Sequence, residues 1–342
     1  MDYNLNNSVE FTKETKRNAI KAFSRVHGAA AAYLIFGIVL IYIAQFVTMA
    51  LVGADELLAL AENPYYIWGL QVGAMYLVAF PLFLLMVRNL PSAQRERGDM
   101  SLKEFGYIFL ISEAIMLIGS IFSNWLTSLV SGILGYEIPN TTSDIISATP
   151  LWLIILVVVV IGPIVEEMIF RKIFIDKLSV YGDRLAIIVS AFAFGLFHGN
   201  LYQLFYATAL GLVLGYVYTK TRRSVYNCLL HIAINFMGSV PAVLCQDSIN
   251  RLNALPEGAL IEGDLVADYY LVMGISAMQY LLAFAGVVIF IVATSRRTWS
   301  FSRECDIEIP VLSRPRVVVF NAGTIFFLII CIAQCLSSLF LV

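Results

Sequence analysis

Charge is scarce in this chain: Asp, Glu, Lys and Arg make up 13% of its 342 residues, where a soluble domain carries roughly 25%. With 60% apolar residues and a mean hydropathy of +0.82, that shortage excludes an ordinary soluble globule and leaves a polytopic membrane protein. Histidine is scarcer still, with only His27, His198 and His231. The five cysteines, Cys228, Cys245, Cys305, Cys331 and Cys335, have no CxxC spacing and form no disulfide framework. There is no internal repeat, no low-complexity tract and no HExxH or HxxxH pattern. A secretory signal is not expected, because the first 28 residues are charged and lack a cleavage pattern.

Long apolar runs fill the rest. They lie at about 29–51, 65–87, 105–134, 151–180, 185–199, 201–219, 224–245, 269–294 and 317–341. At ~20 residues per span, they predict an all-α polytopic protein of about nine transmembrane helices, with eight also possible. Of the 22 Lys and Arg residues, 21 fall in the segments on alternate sides of consecutive runs. The opposite loops hold only Arg251, beside Asp55, Glu56, Asp144, Asp247, Glu257 and Glu262. The positive-inside rule then places the N-terminus in the cytoplasm and the C-terminus outside.

Four segments follow from this pattern. Residues 1–28 are basic, and Phe11, Ile20, Phe23 and Val26 share one face among Lys13, Lys16, Arg17, Lys21 and Arg25. That pattern predicts a helix lying on the inner leaflet, with His27 at its surface. Residues 29–149 supply helices 1–3, and 150–245 form a core rich in polar groups. Residues 246–342 supply an outer loop and helices 8–9. The stretch 246–268, with Pro256-Glu257-Gly258, is expected to be the longest without helix.

Within the core, ionisable groups interrupt apolar helices, where each costs at least a few kcal/mol near mid-bilayer. Glu166 lies fifteen residues before Tyr181, His198 fourteen residues after Arg184, and His231 eight residues after Arg223. These spacings put the groups within one or two turns of a common depth, so one pocket is allowed. The helix ending at His198 spans only ~22 Å at ~1.5 Å per residue, short of the far surface. Gly199-Asn200 must therefore turn at membrane depth, where only burial by protein or access to water permits it.

Residues four apart share a helix face. Glu167 and Arg171 are so spaced, in the favourable order for an ion pair. Glu166 pairs with Phe170 on a face about 100° away, and its polar partner must come from elsewhere. His198 is the expected one, with Phe194 a turn before it. A carboxylate beside an imidazole is a recurring general-base arrangement. His231 and Asn235 offer two donors on another face, which suits an oxyanion better than a metal.

Glu166-Glu167-Met-Ile-Phe170-Arg171 matches EExxxR, Phe194-Gly-Leu-Phe-His198 matches FxxxH, and His231-Ile-Ala-Ile-Asn235 matches HxxxN. In this order and spacing the chain resembles the CPBP family of intramembrane glutamic endopeptidases. That family comprises the type II CAAX prenyl proteases and bacterial Abi relatives of the bacteriocin-immunity type. The resemblance covers about 150–240 and implies a peptide-bond hydrolase with no cofactor and no metal. It implies that Glu166 activates water with the help of His198, that His231 and Asn235 form an oxyanion hole, and that Glu167, Arg171, Phe170 and Phe194 support the site. The implied partners are a membrane-associated peptide or protein substrate and the bilayer of a bacterial plasma membrane, with no nucleic acid.

Other readings remain open. The polar groups can be a register-fixing network, or belong to a non-catalytic immunity or scaffold protein. A transporter is a further reading, although its inverted repeats and paired broken helices are missing. Glu166, His198 and His231 are also a plausible zinc set, which would make a zinc-dependent intramembrane protease but leave Asn235 idle. Cys228 is a candidate thiol or a small core residue. Glu113 is an intramembrane carboxylate without a partner motif.

Overall fold

The structure, a computed structural model, describes residues 11–256, 259–302 and 304–340. Glu257 and Gly258, part of the expected outer-loop signal, lie outside the described residues. Each apolar run becomes one main helix: α1 Lys13–Val52, α2 Pro64–Val87, α3 Leu102–Leu134, α4 Leu151–Tyr181, α5 Asp183–Phe197, α6 Leu201–Thr221, α7 Ser224–Asn253, α8 Asp264–Ser295 and α9 Ala322–Phe340. Among the described residues, eight of these are long and apolar enough to cross a membrane. The exception is α5, with 15 residues. There is no strand among the described residues.

Local chemistry sets the helix ends. Ser101 and Glu104 form a reciprocal capping box at the start of α3, and Gly135, at φ +82°, ends that helix. Asn63 caps α2 ahead of Pro64, whose missing N–H is harmless at a first helical position. Asn200 accepts from the Gln203 N–H and opens α6. Just before it, Gly199 sits at φ +63°, and a Cβ there would lie 2.9 Å from the Cβ of Gln334. The turn expected at membrane depth is thus covered by α9, and its sharpness suits a residue without a side chain.

Apolar burial drives little helix association in lipid, so small residues and polar contacts carry more of it. A Cβ at Gly211 on α6 would lie 2.9 Å from the Cα of Ala191 on α5. Gly286 on α8 packs against the carbonyl of Leu110 on α3, and Gly323 on α9 against that of Ser24 on α1. Outward faces carry exposed Phe46, Leu77, Trp125, Ile133 and Phe284, which is the lipid side of such a bundle.

The basic loops are tied to one another at one end of the bundle. Ala93 N–H donates to Asp176 O, Gly98 N–H to Thr221 O and Asp183 N–H to Glu304 O. Arg95 pairs with Glu304 and Asp306, both at 2.9 Å, and Arg222 with Asp183. At the other end Tyr202 donates to Ile138 O and Tyr136 to Leu339 O. If the charge asymmetry sets orientation, a reporter inserted after Ser300 should read cytoplasmic and one inserted after Leu260 external. The reverse result at both positions would invert the bundle.

Two expectations at the ends of the chain's segments need correction. From Lys13 on, the basic N-terminal segment is no separate surface helix but the start of a continuous α1, while residues 1–10 lie outside the described residues. Phe23 and Val26 are buried in protein, and His27 with them. His27 bonds the Phe23 carbonyl through Nδ1 at 2.8 Å and meets Phe174 and Phe327 edge-on. The apolar face that looked suited to lipid is covered by α4 and α9 instead. The outer loop is also shorter than 246–268, because α7 continues to Asn253 and α8 begins at Asp264. Arg251 and Ser248 both bond Asp268, which ties the two extended helix ends together.

Candidate active site

Helix α4 is not uniform around the paired glutamates. Over Ile154–Ile161 and Met168–Ile175 it widens to π-type hydrogen bonding, which brackets the α-helical turn Gly162–Glu167. Such widenings concentrate at functional sites. The Gly162 N–H reaches back to Val157 O, so in the same register Val158 O would look to residue 163. That residue is Pro163, which has no N–H to give. The side-chain amide of Asn235 fills the gap, donating to Val158 O at 2.9 Å. In the second wide stretch, Ser190 donates to Phe170 O at 2.6 Å. Groups freed by the irregular backbone are therefore met by neighbouring helices, as a dry interior requires.

Glu167 and Arg171 form the expected ion pair, Oε2 to Nε at 3.1 Å, with both side chains fully buried. Neither Nη of Arg171 has a hydrogen-bond partner among the described residues. Its guanidinium instead lies over the face of Phe194, 4.4 Å from the ring centroid, a favourable place for a desolvated cation. The other carboxylate oxygen of Glu167 is 2.9 Å from His231 Nδ1. A carboxylate held in an ion pair can only accept, so Nδ1 is the donor.

That bond turns the other face of His231 towards Glu166, with Nε2 3.6 Å from Oε2. The expected partner of Glu166 was His198, and here the structure differs. Among the described residues no nitrogen of His198 comes within ion-pair distance of Glu166, and His231 takes the nearer place. His198 follows the last turn of α5 and donates Nδ1–H to Phe194 O at 2.8 Å. A carbonyl can only accept, so Nε2 is the lone-pair nitrogen of the neutral ring. Phe194 sits among these groups, edge-on to Phe170, His198 and His231 at centroid distances of 5.2, 4.8 and 5.8 Å. Phe170 is fully buried behind it.

Glu166, Phe194, His198, His231 and Asn235 line one cavity of about 400 Å³. The side chain of Glu166 remains 26% exposed, whereas that of Glu167 is fully buried. Adjacent carboxylates thus have separate surroundings, one open to the cavity and one locked to a cation. The same cavity takes in Gln71 and Tyr76 from α2 and Gln203 and Tyr206 from α6, none of which the sequence reading singled out. A signal existed in Gln71, an uncharged polar residue inside the 65–87 run, and in the i,i+3 pair Gln203 and Tyr206 just after the turn. Asn200 holds Gln203 in place through a 2.8 Å side-chain bond.

Cys228 and Glu113 do not line this cavity. Among the described residues no three His, Cys, Asp or Glu side chains group as metal ligands, and Glu166, His198 and His231 do not converge as a zinc set would.

Residues 148–237 match the family described as type II CAAX prenyl endopeptidase Rce1-like. A protein of Bacillus subtilis (strain 168), YdiL, provisionally named a membrane peptidase, is 29% identical over 178 residues, covering 51% of this chain and 72% of YdiL. The membrane-embedded CAAX protease MroQ of Staphylococcus aureus (strain USA300) is 30% identical over 104 residues, covering 28% of this chain and 42% of MroQ. No solved structure matches the chain. With its three motifs gathered at one cavity and these matches across its core, this chain, a multi-pass protein of the cell membrane, is similar over that core to the CPBP family of membrane peptidases.

Proposed function

We propose that the chain is a glutamic-type intramembrane endopeptidase in which Glu166 activates the attacking water. The observation that carries this reading is the contrast between the two glutamates. Glu167 is occupied by Arg171 and His231, while Glu166 stands open to a cavity that His198 also lines. Water between Glu166 and His198 would meet two acceptors, the carboxylate and Nε2. Glu166 takes its proton as the oxygen attacks the peptide carbonyl, and the same proton is available to the leaving amine.

Developing charge on the carbonyl oxygen needs donors. Asn235 spends one N–H on Val158 O and keeps a second for the cavity. His231 can donate through Nε2 only when both its nitrogens carry protons, since Nδ1–H already serves Glu167. The substrate is a membrane-associated peptide or protein, reached from within the bilayer or its inner face. An immunity or scaffold role would leave Glu166 with no task and the cavity with no occupant.

The reading is tested by incubating purified protein in liposomes with transmembrane peptides and identifying the fragments by mass spectrometry. Cleavage should persist in metal-free buffer with a strong chelator, because none of the proposed steps uses a metal. Loss under chelation, restored by stoichiometric zinc, would transfer the reaction to a zinc-bound water.

A further inference from the structure

A second, larger cavity of about 550 Å³ opens at the basic end of the bundle, away from the glutamates. Six cations line it: Arg88, Arg95, Arg97, Lys172, Lys177 and Arg222, with Asp176 the single carboxylate. Three of the six are neutralised. Arg95 pairs with Glu304 and Asp306, Arg222 with Asp183, and Lys172 with Asp176 at 2.7 Å. The remaining three are not. Lys177 bonds only neutral acceptors, Leu90 O at 2.6 Å and Ser92 Oγ at 2.8 Å. Arg88 and Arg97 have neither ion pair nor hydrogen bond to another residue among the described residues. Glu96, on the same loop, does not line the cavity.

Three cations without a carboxylate partner in one concave site call for an anion. The site's walls say which kind. Leu84 and Val87 belong to the last turn of α2, and Ile173 to α4, so the cavity continues into the apolar surface of two spans. Arg88 follows directly on the end of α2, the level at which a span meets headgroups. A ligand matched to this site is anionic at one end and apolar at the other.

We propose that this cavity binds the phosphate of an anionic phospholipid headgroup, with Arg88, Arg97 and Lys177 as its ligands. Basic pockets between helices at a membrane face recognise such headgroups. The site shares α4 with the glutamates, and Lys172 directly follows Arg171. A bound lipid would therefore fix the depth of the helix that carries Glu166 and Glu167. The proposal does not depend on the peptidase chemistry, and its test reads binding alone.

The full-length protein in detergent is titrated with dioctanoyl phosphatidylglycerol, with dioctanoyl phosphatidylcholine and with inorganic phosphate, and bound adducts are counted by native mass spectrometry. Phosphatidylglycerol should bind in preference to phosphatidylcholine. At roughly fivefold per cation, the Arg88→Gln/Arg97→Gln pair should weaken that binding by about 25-fold. Both arginines are exposed and unpaired, so the variant should fold, and the charge-keeping Arg88→Lys/Arg97→Lys pair should retain binding. Equal retention of both lipids, or unchanged binding in the Gln pair, would overturn the proposal. Competition by inorganic phosphate at concentrations similar to the lipid's would overturn the assignment to lipid and make the site one for free phosphate.

Discussion

Glu166→Gln should lower turnover by roughly 100-fold or more, with yield and thermal stability unchanged. The substitution keeps the shape of the side chain and removes the basic oxygen that would take a proton from water. It should cost little stability, because Glu166 lines the cavity and, among the described residues, its charged partner is His231, with Nε2 at 3.6 Å. His198→Ala should show a similar loss, since it removes the second acceptor for the same water. The double variant should fall little below either single one, as groups acting as a unit are far from additive. Multiplicative losses would mean that His198 acts in a separate step, and an unchanged rate in purified Glu166→Gln would move the base elsewhere.

What could be read along one helix was legible in the sequence. Glu167 and Arg171 are four residues apart, and helical geometry alone brings them to 3.1 Å. That Glu166, His198, His231 and Asn235 could share one pocket was also legible, because residue counts from the turns bring them to a common level, and they line one cavity. Rotation between helices was not. The partner of Glu166 depends on which way α5 and α7 turn their faces, and spacing along the chain carries no such information. The contact from His231 Nδ1 to Glu167 bridges 64 positions, and it turns Nε2 to Glu166 as a consequence. The wide stretches of α4 add to the difficulty, since a face assignment at 100° per residue fails where the backbone changes register. Asn235 shows the same limit: the sequence gives it a donor's role, but only the structure ties one of its N–H groups to the carbonyl that Pro163 leaves open. His27 misleads for another reason. Its neighbours are basic, yet Phe23 and Val26 beside it face α4 and α9 rather than lipid.

Glu167→Ala should be the most damaging substitution to the fold, by ~3–5 kcal/mol. Both side chains of the Glu167–Arg171 pair are fully buried, so no solvent screens the charge left behind. The two Nη atoms already lack hydrogen-bond partners among the described residues. Without the carboxylate, only the face of Phe194 would remain against the guanidinium. Yield and the midpoint of heat-induced aggregation should both drop, in contrast to Glu166→Gln. Activity should drop as well, because His231 loses the acceptor that orients its ring. These two effects can be separated. Glu167→Leu combined with Arg171→Leu removes both charges at once, and replacing a buried pair by apolar side chains is often neutral or stabilising. The double variant should regain most of the thermal stability yet stay inactive, since nothing then holds Nδ1 of His231. Recovery of turnover together with stability would reduce Glu167 to a counterion. Equal thermal midpoints for Glu167→Ala and Glu166→Gln would mean that Arg171 finds water or headgroups instead of the carboxylate.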